Sequence, residues 1–236
     1  MIIFPAIDLY DGKAVRLYQG DYSRMTVYSD RPRDVAKEFF AKGARQAHVV
    51  DLLGAREGGT PDLETVKEII REIPFVEIGG GIRSMEAIEA YLDAGASRVI
   101  LGTAALENRE LLAQALARYG ERIAVGADIR DGYLSVRGWT ETSAVTVDSF
   151  FADMEAMGVT NIICTDISKD GAMSGTNRAL YGSLRRTYSV RITASGGVSS
   201  LEDVRALRDM GLYGAIIGKA YYTGAVALEE AIEAAK

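Results

Sequence analysis

Two aspartates close apolar runs half a chain apart: Asp8 in IIFPAID and Asp128 in IAVGAD. Acids at the ends of two buried strands can divide the work of general base and general acid, given environments that separate their pKa values. Glycine clusters flank them along the chain: Gly79-Gly80-Gly81 ahead of Ser84, Gly196-Gly197 ahead of Ser200, and the single glycines of Gly102-Thr103 and Gly218-Lys219. Glycine lets backbone approach a ligand closely, and free N–H groups at a helix start bind phosphate. One Gly-Gly pair would serve a tight turn as readily as a phosphate. Two pairs, one in each half, predict a ligand with two phosphates, one gripped by each half.

Other candidates are weaker. Asp51 in QAHVVD and Asp166 in NIICTD form a second pair of strand-end acids and read as structural caps of the loops that follow. Thr165 offers a hydroxyl beside Asp166, while Asp11 and Asp131 precede glycines and read as turn residues. His48 and Cys164 are the only histidine and cysteine, so no metal-ligand set is expected. His48 lies inside an apolar run, where core packing is the ordinary explanation. Trp139, the single tryptophan, stands in RGWTETS and reads equally as loop packing or as a stacking surface for a flat heterocycle.

These residues sit on a regular frame. Short Ile- and Val-rich runs occupy 2–8, 46–51, 75–79, 98–102, 123–128, 161–166, 190–195 and 214–218. They lack strict polar alternation, as parallel strands covered on both faces do. Helical patterns fall between them at about 32–42, 62–73, 84–94, 107–119, 146–157, 177–187, 200–210 and 226–235, with Asp62, Ser84 and Ser200 as N-cap candidates. Eight such βα units predict a single-domain (β/α)8 TIM barrel; a doubly wound open sheet is the alternative. Residues 78–105 placed over 194–221 match at ten of 28 positions without a gap, Gly80/Gly196, Ser84/Ser200 and Gly102/Gly218 among them. Asp51 falls over Asp166 and Asp8 over Asp128, so the chain reads as two duplicated half-barrels, about 1–120 and 121–236.

Composition agrees. The 236 residues are 48% hydrophobic and 25% charged, an ordinary globular mix that excludes a disordered chain. A net charge of −6 speaks against a nucleic-acid surface, so an anionic ligand needs a local site. One cysteine excludes an internal disulfide framework and fits a reducing compartment. No signal peptide is apparent, and no run approaches the roughly 18 apolar residues that span a bilayer. A cytoplasmic monomer is expected, acting on a small molecule without nucleic-acid or membrane partners.

PAIDLYDGKAVRLYQGDY (5–22), HVVDLLGA (48–55), IGGGIRS (78–84), CTDISKDGAMSGTN (164–177), ASGGVSS (194–200) and IIGKAYYTG (216–224) together resemble the ProFAR isomerase family of histidine biosynthesis. The likeness spans Ile2 to Gly224, with the motifs in family order along the strand ends. It implies an Amadori rearrangement of N-(phosphoribosylformimino) aminoimidazole carboxamide ribonucleotide, an aminoaldose with two phosphates, to its aminoketose. By position it implies that Asp8 removes the C2 proton, that Asp128 assists opening of the ribose ring, and that Thr165 supports the ring-opening end. Gly81, Gly102 and Thr103 would hold one phosphate; Gly175, Gly197, Gly218 and Lys219 would surround the other. Arg16 and Arg83 would contact substrate or phosphate, and 168–175 resembles a sixth loop that closes over the site. Neither metal nor organic cofactor is implied.

Leu53 departs from the polar residue common at its position. Arg137 ahead of Trp139 resembles a bifunctional subgroup that also isomerises phosphoribosylanthranilate, and single activity is the favoured expectation. The cyclase of the same pathway shares the barrel and paired aspartates, but Pro-Ala-Ile-Asp in the first strand and Arg130 with Trp139 after the fifth favour the isomerase. A non-catalytic phosphosugar-binding barrel would not require opposed acids.

Overall fold

The computed structural model describes residues 1–236. Its strands are β1 (Ile2–Tyr10), β2 (Lys13–Tyr18), β3 (Asp21–Ser29), β4 (Gln46–Asp51), β5 (Phe75–Gly79), β6 (Arg98–Leu101), β7 (Ile123–Arg130), β8 (Tyr133–Val136), β9 (Glu141–Thr146), β10 (Asn161–Asp166), β11 (Arg191–Ser195) and β12 (Gly214–Ile217). The helices are α1 (Pro32–Ala41), α2 (Leu52–Glu57), α3 (Leu63–Ile70), α4 (Met85–Asp93), α5 (Thr103–Glu107), α6 (Arg109–Tyr119), α7 (Val147–Ala156), α8 (Arg178–Thr187), α9 (Leu201–Asp209), α10 (Lys219–Tyr222) and α11 (Leu228–Ala234). Eight parallel strands run around the wall as β1-β4-β5-β6-β7-β10-β11-β12, and β12 pairs with β1 to close it. This is the (β/α)8 barrel, not the open sheet.

Side chains alternate across each strand, so every strand has an inner and an outer row. The outer row carries most of the core: Ile7, Val49, Ile78, Val99, Val125 and Ile192 are sealed beneath helices. Inside the barrel only Phe4, Ala6, Ile100, Ala124, Ile163 and Ile216 form an apolar layer. The interior above that layer is left for polar groups. Ser84 and Ser200 start α4 and α9, each hydroxyl accepting a backbone N–H, from Ala87 and Asp203. Asp62 does not cap α3; its carboxylate instead accepts the Gly12 N–H at 2.8 Å, tying the first loop to the second.

Two segments expected to be loops are β-structure. β1 turns directly into β2 and then β3, and β7 turns into β8 and then β9, all antiparallel. Each excursion begins at an Asp-Gly pair with both residues at positive φ (50° and 72° at 11–12, 52° and 83° at 131–132). That is the two-residue hairpin turn whose twist matches the strands it joins. The turn reading of Asp11 and Asp131 was right, and the hairpins follow from it. They raise the first and fifth strands into flaps at the barrel mouth.

Candidate active site

A cavity of about 1020 Å³ opens at the C-terminal ends of the barrel strands, large enough for a ligand with two phosphosugar arms. Asp8, Arg16, Gly80, Gly81, Arg83, Gly102, Thr103, Asp128, Trp139, Thr165, Gly196, Gly197, Gly218 and Lys219 all line it. Gly175 does not. It lies behind the wall, its carbonyl filling the space that a Cβ on Gly197 would need.

Asp8 is the last inward residue of β1 before the first flap, and Arg16 of β2 folds back to meet it at 2.9 Å. Arg16 also faces Asp170 of the sixth loop at 4.0 Å. Burial pushes the Asp8 carboxyl above its ordinary pKa, and Arg16 pulls it back. The guanidinium rests against Gly218, where a Cβ would come within 2.3 Å of its Nη2. Gly218→Ala therefore displaces Arg16 from Asp8. We expect kcat/KM to drop by roughly ten- to a hundredfold from a shift of this size at a reacting group, with the folding midpoint little changed. A variant with wild-type kinetics would mean that Arg16 placement is irrelevant.

Asp128 ends the inward row of β7, opposite Asp8. No cation touches it. Burial raises its pKa, while the Trp139 indole N–H and the Thr165 hydroxyl, set against the carboxyl, lower it. Trp139 thus sits over the mouth instead of packing in its own loop, held at φ 71° against Gly20 of the first flap. Because the folded-state pKa of Asp128 is raised, its contribution to stability is complete below the ordinary carboxyl pKa and is lost as pH rises through the folded value. At neutral pH a carboxyl so raised costs stability relative to an uncharged side chain of the same shape. Asp128→Asn keeps an acceptor for both donors and removes the charge, so its Tm at pH 7 should exceed wild type by about 2–4 °C for each kcal/mol recovered. A lower Tm would contradict a destabilising charge.

The glycines after β5 and β11 are sterically required. A Cβ on Gly80 would lie 2.1 Å from the Asp51 carbonyl oxygen, and on Gly81 only 1.8 Å from that of Gly54. Gly196 and Gly197 meet the Asp166 and Gly175 carbonyl oxygens in the same way, at 2.6 and 2.4 Å. Their backs pack against the neighbouring loop while their fronts stay on the cavity, so turn and ligand wall coincide. Gly102 and Gly218 each lead into a short helix, α5 and α10, at the mouth. This is the geometry in which barrels present backbone N–H groups to phosphate, here on two sides.

Asp51 and Asp166 are structural, as expected. Asp51 is fully buried and accepts from Gly54 N, Asp62 N and the Tyr91 hydroxyl at 2.6, 3.2 and 2.8 Å. Asp166 holds Ser168 and Asn177. Arg83 donates to the Ala55 carbonyl and Thr103 accepts the Arg137 N–H, so both are tied to adjacent loops at the cavity edge. Arg137 also lines the cavity, its guanidinium paired with Glu107 and Glu141. The 168–175 loop lies across the mouth: Lys219 Nζ donates to the Gly171 carbonyl at 2.8 Å, and Gln19 donates to that of Ser168 at 3.2 Å.

Two site residues escaped the sequence reading. Asp170 lines the cavity as a third, half-buried acid, its carboxyl raised by desolvation against the pull of Arg16 and Lys219. Its signal was an acid inside the SKDG lid motif. His48 is not ordinary core: it faces the cavity with Nδ1 at 2.8 Å from Glu77. The alternation of β4 would have placed His48 on the same face as Val50, had the inner face been known.

Fold and mouth define a (β/α)8 barrel whose opposed acids stand between two glycine-built edges. The chain belongs to the histidine biosynthesis protein family, whose profile matches residues 2–227. It is 49% identical over 237 residues to a protein of Clostridium beijerinckii, covering 100% of this chain and 99% of that one. A protein of Ruminiclostridium cellulolyticum is 48% identical over 98% of this chain and 99% of its own, and one of Oceanobacillus iheyensis 46% over 99% and 98%. All three are named 1-(5-phosphoribosyl)-5-((5-phosphoribosylamino)methylideneamino)imidazole-4-carboxamide isomerase.

Proposed function

We propose that this protein is the histidine-pathway isomerase that converts ProFAR, the aminoaldose, to its aminoketose. The observation that carries the reading is the asymmetric pair of acids: Asp8 is ion-paired with Arg16, whereas Asp128 is met only by neutral donors. The guanidinium favours the carboxylate form of Asp8, which suits a base. Asp128, without a cation, is the better proton donor.

The chemistry then runs between them. Asp128 gives a proton to the ribose ring oxygen as the C1–O bond breaks and the nitrogen lone pair forms the C1–N double bond. Thr165 steadies the carboxyl at that step. Asp8 takes the proton from C2, and the electron pair moves to form an enolamine. Return of a proton to C1 and loss of the hydroxyl proton leave the C2 ketone, so no redox partner or cofactor is consumed. Gly81, Gly102 and Thr103 hold one phosphate through backbone N–H groups; Gly197, Gly218 and Lys219 hold the other, one site to each half-barrel.

Turnover of ProFAR by the purified protein tests this, and no conversion at saturating substrate would sink it. Phosphoribosylanthranilate should not be turned over, because the Arg137 guanidinium is already engaged by Glu107 and Glu141. Conversion of both substrates by one preparation would make the second activity real.

A further inference from the structure

Three inward residues lie side by side within the barrel: His48 of β4, Glu77 of β5 and Arg98 of β6 are lateral neighbours in the parallel register. Glu77 Oε1 is 2.8 Å from His48 Nδ1, and Oε2 is 3.1 Å from Arg98 Nη1. Glu77 is wholly buried, Arg98 is 4% exposed and His48 9%. The ion pair with Arg98 offsets the cost of burying the carboxylate. A carboxylate can only accept, so Nδ1 of His48 must donate, and in the neutral ring Nε2 keeps its lone pair. Nε2 has no hydrogen-bond partner in the protein, although His48 lines the cavity. A buried relay that ends in an unpartnered acceptor facing a cavity does nothing for packing.

Position gives it a purpose. Ala6 pairs with His48 in the register of β1 and β4, so Asp8 stands one inward step above the imidazole. The charged groups around the ring are Asp8 from β1, Glu77 from β5, Asp128 from β7 and Asp170 from the loop after β10, with Arg16 behind Asp8. A sugar lying between Asp8 and Asp128 lies over His48. A neutral acceptor suits an alcohol and repels a phosphate oxygen. We propose that His48 is a catalytic residue whose Nε2 accepts a hydrogen bond from a hydroxyl of the reacting sugar and so holds C2 against Asp8, with Glu77 and Arg98 as positioning residues that fix its tautomer. The proposal deepens the isomerase reading and rests on Asp8 being the base.

The chain has one histidine, so ¹⁵N-histidine labelling reports a single ring. In the free wild-type enzyme at neutral pH we expect a protonated Nδ1 and a bare, far-downfield Nε2. Saturating aminoketose product should move Nε2 upfield and leave Nδ1 nearly still, whereas inorganic phosphate alone should move neither. A proton on Nε2, or an Nε2 signal that product leaves unmoved, overturns the proposal. Glu77→Gln frees the tautomer and should lower kcat by about tenfold, the loss of one hydrogen bond in the transition state, with KM little changed. Folded His48→Asn with wild-type kcat and KM would also overturn it. Wild-type turnover by Asp8→Asn would instead sink the base assignment and leave the tautomer and the product-induced shift standing.

Discussion

Asp8→Asn should lower kcat by roughly 10²–10⁴-fold, the usual worth of a positioned general base, while product still binds within a few-fold of wild type. Asparagine is isosteric and still accepts from Arg16, so the 2.9 Å contact that organises the first flap survives. The glycine walls on both sides of the cavity do not touch the substituted atom. What disappears is the lone pair able to take a proton from carbon. Loss confined to kcat, measured beside the product Kd, marks an interaction needed only in the transition state. A kcat within about tenfold of wild type, less than a base contributes, would remove Asp8 from that role and direct attention to Asp170, the other acid that faces Arg16.

The largest effect on stability should come from a residue that never meets substrate. Asp51→Ala strips one buried carboxylate from three donors: Gly54 N, Asp62 N and the Tyr91 hydroxyl. No water-filled space replaces it, since Asp51 is fully buried and lies outside the cavity lining. Each orphaned donor carries a desolvation cost, and together they should cost on the order of 4 kcal/mol. For a chain of this size that lowers Tm by roughly 8–16 °C. Asp62 in turn accepts from Gly12, so the loss spreads from the second loop to the first flap. Well below the transition, the surviving folded protein should keep a kcat near wild type. A Tm change under about 2 °C, the shift of a single weak bond in such a chain, would show that the three donors find other partners.

Much of this molecule was written locally. Each barrel strand falls within a few residues of its expected run, because a strand buried on both faces is predominantly apolar. Ser84 and Ser200 cap their helices because a serine oxygen before a helical pattern has an N–H to accept. The Gly80-Gly81 and Gly196-Gly197 turns stand where the chain reverses beside another carbonyl, which no side chain survives. The mouth acids Asp8 and Asp128 were legible for the same reason: a charge at the end of an apolar run marks where the strand leaves the core.

Closure of the barrel decided the rest. In strands apolar on both faces the residue pattern does not say which row points inward, so His48 read as core until the register set it beside Glu77 and within the cavity. Gly218 and Arg16 lie 202 positions apart, and only the meeting of β12 with β1 and its hairpin lays the guanidinium on that glycine. Asp170 became a site residue because Arg16 and Lys219 reach the sixth loop from the first and last βα units. Periodicity, caps and turns are interactions over a few residues, and sequence alone determines them. The inner row of a barrel and the contacts among its loops are set by register and closure, which involve all eight strands at once.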